Sequence, residues 1–350
     1  NGTNLDGASN LYTDLVYFLL TNLVAGAGSA TNMSAESPNM IDVESFVQSS
    51  RFLRQNELFC NGAITEKINI QDFIAETAPS FLCNFVIKNG KFGLVPVVPT
   101  TASGAVDTGP VTIKQFFTDG NILEDTFELE YLSAEERKPF KANLRYRYER
   151  ENKLPEERVV SVDYKEYGEA FRDVETFDLM AFCTSQAHAE LVGRYFLLVR
   201  DLVTHSIQFS TTASGLDLAP GDFIKVETEV TPYSSSLNGT VSGTGEIVSL
   251  TDLPDGQYNV LYYAAEGESV VSGVMQVSNG FTTDSTFFNS VFTIQEKIAS
   301  QNIYQVEQIT FNEDMTVAIV ASEYPCNDSG ESKLALGLVD KDLFIVSGVN

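Results

Sequence analysis

Asn-Gly steps at 61–62, 89–90, 238–239 and 279–280 and Asp-Gly steps at 119–120 and 255–256 constrain this chain more than any other feature. Each pair tolerates the positive φ angles of a tight reversal, so each predicts a turn between short extended segments. The runs they punctuate alternate apolar with polar residues, as at 257–264, 270–277 and 304–311. Residues 81–87 and 92–97 read as a hairpin turned at Asn89-Gly90. Residues 143–150 read as a half-buried antiparallel strand, with Leu144, Tyr146 and Tyr148 on one face and Arg145, Arg147 and Glu149 on the other.

Helical spacing is confined to four segments. Residues 10–22 carry Leu11, Leu15, Phe18 and Leu19 on one face and stop at the glycine-containing run 25–28. Asp42 is a natural N-cap for a helix to about Glu57, with Val43, Phe46, Val47 and Leu53 inward. Residues 70–77 form a short third helix that stops before Pro79. The fourth, 185–202, is capped by Thr184 and buries Ala189, Leu191, Val192, Phe196, Leu197 and Val199. The last 125 residues contain no helix beyond a turn at 295–300. The fold class is therefore α+β and predominantly antiparallel β. Composition shifts divide the chain into an α+β domain at 1–100 and a linker at 101–110. A β-rich domain follows at 111–227 plus 299–350, carrying the 185–202 helix, with a small β insertion at 228–298.

Charge narrows the function. Against 22 Lys and Arg stand 48 Asp and Glu, a formal net charge of −26. Affinity-driven nucleic-acid binding and docking on an anionic membrane both draw on basic residues, so both are disfavoured. The same charge keeps nucleic acid from adhering, and it favours solubility. No apolar run has the ~20 residues needed to span a bilayer. Cys60, Cys83, Cys183 and Cys326 are widely spaced, without a CxxC, and read as buried free thiols. Asn1-Gly2-Thr3 reads as the interior of a longer polypeptide, so a fragment or processed product is expected.

Catalytic and cofactor motifs are missing. His188 and His205 are too far apart for a helical metal pair, and His205, just past a predicted helix end, suits the macrodipole. No Walker, GxSxG, HExxH or EF-hand pattern occurs, and Gly26-Ala27-Gly28 follows a helix rather than a strand. The expectation is a non-enzyme with no catalytic, metal or cofactor residues and no cofactor. One local reversal of charge stands out: residues 134–158 hold eight of the 22 basic residues among six Glu. Its bland reading is a solvated, salt-bridged face. The functional reading is a subunit-interface strip of Arg145, Arg147, Arg150 and Lys153 that docks on an acidic neighbouring copy.

Several segments together resemble the tail-tip hub (tip attachment, host-specificity, J-like) proteins of long-tailed, lambda-type phages. These are Leu11-Tyr12-Thr13-Asp14-Leu15 through Leu19-Leu20-Thr21-Asn22, then Phe59-Cys60-Asn61-Gly62-Ala63-Ile64, and Asn89-Gly90-Lys91-Phe92-Gly93-Leu94-Val95-Pro96. Residues 143–164, the 185–202 helix with Gly215-Leu216-Asp217-Leu218-Ala219-Pro220-Gly221-Asp222, and 303–320 complete the set, while 228–298 has no counterpart. Where the family has Pro after Asn near the start, this chain has Asn10-Leu11, and Ala219 stands where the family has Arg. The resemblance implies baseplate-hub domains, including tube-type β-barrels. It implies a homotrimer closing the distal end of the tail tube in the virion. Expected partners are distal tail and tail-tube proteins, the tape-measure protein and downstream fibre domains. The host receptor is engaged indirectly, and DNA passes through the lumen without stable binding. Whether 228–298 is an OB-like barrel or part of a second tube domain stays open. Two alternatives come from other classes: a hub-borne cell-wall glycosidase, and a receptor- or glycan-binding β module using Tyr258, Tyr262, Tyr263, Phe281, Phe287 and Phe288.

Overall fold

The computed structural model describes residues 9–349 except 89, 150–153, 169–171, 213, 214, 216, 229–237, 250–252, 264–269, 295–301, 313 and 314. In chain order the first elements are α1 (Tyr12–Thr21), α2 (Gly28–Thr31), α3 (Val43–Gln55), α4 (Ile70–Thr77), β1 (Cys83–Lys88), β2 (Lys91–Pro96), β3 (Ile113–Thr118) and β4 (Glu128–Tyr131). There follow β5 (Phe140–Tyr148), β6 (Glu156–Tyr164), β7 (Asp173–Asp178), α5 (Gln186–Leu202), β8 (His205–Thr211) and β9 (Phe223–Glu227). The remainder is β10 (Asn238–Val241), β11 (Ile247–Ser249), β12 (Gly256–Tyr263), β13 (Val270–Val277), β14 (Ser290–Ile294), β15 (Ile303–Phe311), β16 (Val317–Glu323), α6 (Lys333–Val339) and β17 (Phe344–Val349). The chain is strand-rich α+β, as its turn punctuation predicts.

These elements assemble into two units of interleaved chain. The first comprises Asn1–Thr108, Lys138–Asp201 and Leu334–Asn350, and the second Gly109–Arg137 and Leu202–Lys333. In the first, α1 to α4 surround the β1–β2 hairpin, and a four-stranded sheet runs β17-β6-β5-β7. Helix α5 lies on that sheet at Gly193, where a Cβ would stand 2.6 Å from Leu144 Cδ1 and 3.0 Å from Val162 Cγ2. Only a residue without a side chain lets the backbone approach so closely.

The second unit holds two sheets. The six-stranded one runs β3-β9-β15-β16-β8-β4 around a core of Phe117, Ile207, Phe209, Ile224, Tyr304 and Ile319. The five-stranded one runs β11-β10-β14-β12-β13, and Val260, Met275, Phe287 and Phe292 are central to a core of its own. Of the 22 basic residues only Lys114, Arg137, Lys225, Lys297 and Lys333 fall in this unit, which carries half of the 48 acidic ones. Lys114 donates to Asp222 at 3.0 Å, and Lys225 pairs with Glu227 at 3.2 Å. The charge deficit of the chain is thus concentrated in the β-rich unit.

Several expectations need correction. Phe18, Val43 and Val47 are exposed at 45%, 51% and 44%. The inward face of α3 is Phe46, Ser49, Phe52 and Leu53 instead, because β2 packs against its serines. There Ser49 Oγ donates to the Leu94 carbonyl at 2.5 Å, and Leu94 N–H to Ser45 Oγ at 3.3 Å. Asp42 caps α3 as expected, accepting from Ser45 N–H at 3.4 Å. Thr184 does not cap α5: its hydroxyl accepts from Asn61 Nδ2 at 2.7 Å, and the Ser185 carbonyl receives Ala189 N–H at 3.1 Å.

Strand β5 is not purely antiparallel, since β6 flanks it antiparallel and β7 flanks it parallel. Asn238-Gly239 lies inside β10 rather than in a turn, with Asn238 Nδ2 donating to Asp119 Oδ2 at 2.9 Å. Asn279-Gly280 is a turn, with φ of 52° and 78° and reciprocal bonds between Ser278 and Phe281. Helix α6 contradicts the absence of a late helix. It is short and apolar, and a Cβ at its Gly337 would lie 2.5 Å from Leu198 Cδ2 of α5. The turn expected at 295–300 lies outside the described residues.

Candidate subunit-interface strip

The alternation along β5 starts earlier than the sequence indicates: Phe140, Ala142, Leu144 and Tyr146 are buried and Tyr148 is exposed. As β5 is an inner strand of its sheet, its two backbone edges are taken by β6 and β7, so only its outward side chains can meet a partner.

Those side chains already engage carboxylates of their own chain. Arg145 Nε donates to Glu157 Oε1 at 2.6 Å, and its Nη1 to Asp178 Oδ2 at 3.3 Å. The hydrogen bond between them raises the Arg145 pKa and holds Glu157 below the usual carboxylate range. Arg147 is less exposed and donates through Nη2 to the Asn61 carbonyl at 2.6 Å and to Glu149 at 3.0 Å. Arg158 stacks 3.7 Å from the Tyr148 ring centroid, and Lys138 pairs with Asp173 at 2.5 Å. Arg150 and Lys153 lie outside the described residues. The strip is therefore a mosaic of both signs, able to order a polar contact but without the field of an unpaired basic surface.

The histidines are structural in placement. His188 is buried, its Nε2–H donates to the Ser80 carbonyl at 2.7 Å, and burial pushes its pKa down to about 4 against the pull of that carbonyl. His205 lies just past the end of α5, as expected, and opens β8. Its Nε2 lies 3.0 Å from the Tyr304 hydroxyl, and its Nδ1 lies 2.7 Å from Thr204 Oγ1 and 3.2 Å from Glu323 Oε2. Burial works to raise the Glu323 pKa, but hydrogen bonds from His205 and Thr204 outweigh it and hold the carboxyl low. Sequence reasoning missed this hydroxyl–imidazole–carboxylate line, because His205 lies 99 or more residues before both Tyr304 and Glu323. It has the order of a nucleophile relay. Tyr304 has no exposed surface, however, so no substrate atom reaches its oxygen.

Other candidates are dispersed. Among the described residues no group of His, Cys, Asp and Glu is placed to hold a metal ion. No helix among them is long and apolar enough to cross a membrane. The four thiols are free: Cys83 and Cys183 are buried, Cys60 and Cys326 half-buried, and burial pushes Cys60 up to about 12. Of the aromatics at 258–288, Tyr262 and Phe287 are core, Tyr258 and Phe288 pack against it, and Phe281 is 47% exposed.

Among the solved structures that resemble this chain are three virion or tail proteins. The virion of a native gene transfer agent particle contains a chain similar over 93% of this one, at 10% identity and a TM-score of 0.41. A tail protein from Neisseria meningitidis MC58 is similar over 76%, at 8% identity and a TM-score of 0.32. The 43 kDa tail protein of prophage MuSo2 from Shewanella oneidensis is similar over 77%, at 9% identity and a TM-score of 0.30. The present chain spans 58%, 58% and 56% of those three. Likeness at these scores assigns no function. No protein-family model and no curated protein matches.

Proposed function

We propose that this chain is a structural subunit of a phage tail tip, a trimeric hub that closes the tail tube, joins it to distal fibre parts and lets DNA pass. The ordered set of segments that resembles tail-tip hubs supports this reading. The observation that carries it physically is the charge segregation: the β-rich unit holds half of the acidic residues and five basic ones. Two of those five, Lys114 and Lys225, are neutralised within the unit. A wall of that kind repels phosphate backbones, the requirement for a passage through which DNA slides without adhering. Ring assembly gives such a surface a lumen, and closed rotational symmetry is the usual form of a homo-oligomer.

The test is the mass and symmetry of the particle. Sedimentation with native mass measurement should give three copies, and averaged electron-microscope images a threefold annulus with an open centre. A chain that stays monomeric at micromolar concentration in the presence of its tail partners overturns the proposal.

A further inference from the structure

Two of the end strands among the described residues, β1 and β4, carry opposite charge. Strand β1 pairs with β2 on one side and, among the described residues, with no strand on the other. The outer edge of β2 is occupied: Phe92 N–H donates to the Met40 carbonyl at 2.7 Å and the Phe92 carbonyl accepts from Asp42 N–H at 2.9 Å. The hairpin's free edge is therefore β1. Strand β4 is the end strand of the six-stranded sheet, paired only with β8 among the described residues. Leu132 N–H donates to the Thr204 carbonyl at 2.9 Å, continuing the β4–β8 ladder. By the alternation of an antiparallel pair, the backbone groups of Leu129 and Tyr131 then face outward.

The side chains at the two edges are complementary. Ile87, Lys88 and Lys91 crown the hairpin, with Ile87 52% exposed and neither lysine in an ion pair among the described residues. Glu128 and Glu130 stand exposed on β4, likewise without ion pairs among the described residues, beside Tyr131 and Leu132 at 58% and 38% exposure. An open edge is an association hazard, and charge is the usual means of blunting it. Here the charges have a directional consequence. Like charges brought together in register disfavour β1 against a second β1 and β4 against a second β4. Of the pairings between these two edges, β1 against β4 brings opposite charges, apolar tips and outward-facing backbone groups together.

We propose that the β1 edge of one copy of this chain adds to the β4 edge of a second copy, with Lys88, and Lys91 beside it across the hairpin, presented to Glu128 and Glu130. The contact joins two different surfaces, so repeated copy to copy it propagates head to tail and closes where the rotation per copy completes a turn. Backbone bonds to Leu129 and Tyr131 of β4 supply the adhesion, and the charges set register and partner. This deepens the hub reading and rests on it, since it names the surface that joins the copies.

Charge reversal tests it on the full chain, read by sedimentation and cross-linking with circular dichroism as the check on folding. Lys88→Glu with Lys91→Glu should weaken self-association about tenfold or more, as like charges then meet. Glu128→Lys with Glu130→Lys should do the same, and the chain carrying all four changes should regain assembly. Two folded double variants that assemble like the wild type overturn this contact and leave the annulus standing, as does a fourfold variant that stays dissociated. A wild-type chain that remains monomeric with its tail partners overturns both.

Discussion

Nε2 of His188 lies 2.7 Å from the carbonyl oxygen of Ser80, inside a part of the first unit where the ring has 1% of its surface exposed and tilts against Phe81. Burial disfavours the imidazolium, and its pKa falls from the ordinary 6.5 to about 4. A group depressed in the folded state contributes stability that is present above its unfolded pKa and lost as the pH falls through its folded one. The window is therefore pH 6.5 down to about 4, and the shift is worth at most about 3 kcal/mol. His188→Gln keeps an N–H for the Ser80 carbonyl and removes the titration. Denaturant melts at pH 7 and pH 4.5 should show the wild type losing stability relative to this variant at the lower pH. A wild type and variant that decline in parallel would refute the assignment.

Gly193 sets the distance between α5 and the sheet under it. Because a Cβ there meets Leu144 Cδ1 at 2.6 Å and Val162 Cγ2 at 3.0 Å, Gly193→Ala must displace side chains from a filled interior. The overpacking should cost about 1–3 kcal/mol despite alanine's better helix propensity. Leu144→Ala alone should cost about 2–5 kcal/mol through its cavity, and the double variant less than the sum, because the new methyl enters the vacated space. Additive costs in urea melts would show that the two sites do not share a contact.

Arg145 and Arg147 lie two residues apart and should separate cleanly. Arg147 Nη2 satisfies the Asn61 carbonyl at 2.6 Å and ties the 60–62 segment to β5, whereas Arg145 bonds only exposed carboxylates among the described residues. Arg147→Ala should destabilise the chain by about 1–3 kcal/mol, the range for a hydrogen bond lost with its partner left partly buried. Arg145→Ala should leave the unfolding midpoint unchanged, since solvent and salt screen its bridges. The pair of midpoints in guanidinium decides it: equal losses would mean that both arginines act only as surface charges.

The parts of this fold that were legible before the structure are those decided by neighbours in sequence. Asp42 caps α3 three residues ahead of the N–H that donates to it, and Asn279-Gly280 turns within four residues. What escaped was decided at a distance. Val43 and Val47 have the apolar character of a buried face, yet serines 45 and 49 hold that place because β2 accepts and donates hydrogen bonds there. Asn238-Gly239 has the same letters as a turn, and its place in β10 is held by Asp119, 119 residues away. Seven residues with a glycine at the fifth give α6 little helical signal, for the glycine is there to admit Leu198. The candidate strip followed the same rule: its arginines were visible at once, but Asp178 and Asn61, which engage them, were not.

Lys225 and Glu227 form an ion pair at 3.2 Å with side chains only 5% and 8% exposed, and Asn302 Nδ2 donates to Glu227 Oε2 at 3.0 Å. Burial raises the Glu227 pKa, and the lysine and the Asn302 amide work to bring it back. An acid raised in this way contributes stability fully present below its unfolded pKa and lost as the pH rises through its folded one. Lys225→Met removes the compensating charge and leaves the carboxylate buried, which should cost about 3–5 kcal/mol at neutral pH. Without the lysine the carboxyl takes up a proton at a still higher pH, and a neutral carboxyl is far cheaper to bury than its anion. The deficit of the variant against the wild type should therefore shrink between pH 7 and pH 5 in urea melts. A deficit equal at both values would mean that the methionine costs stability through packing alone and that the pair's charge is not what the fold has to neutralise.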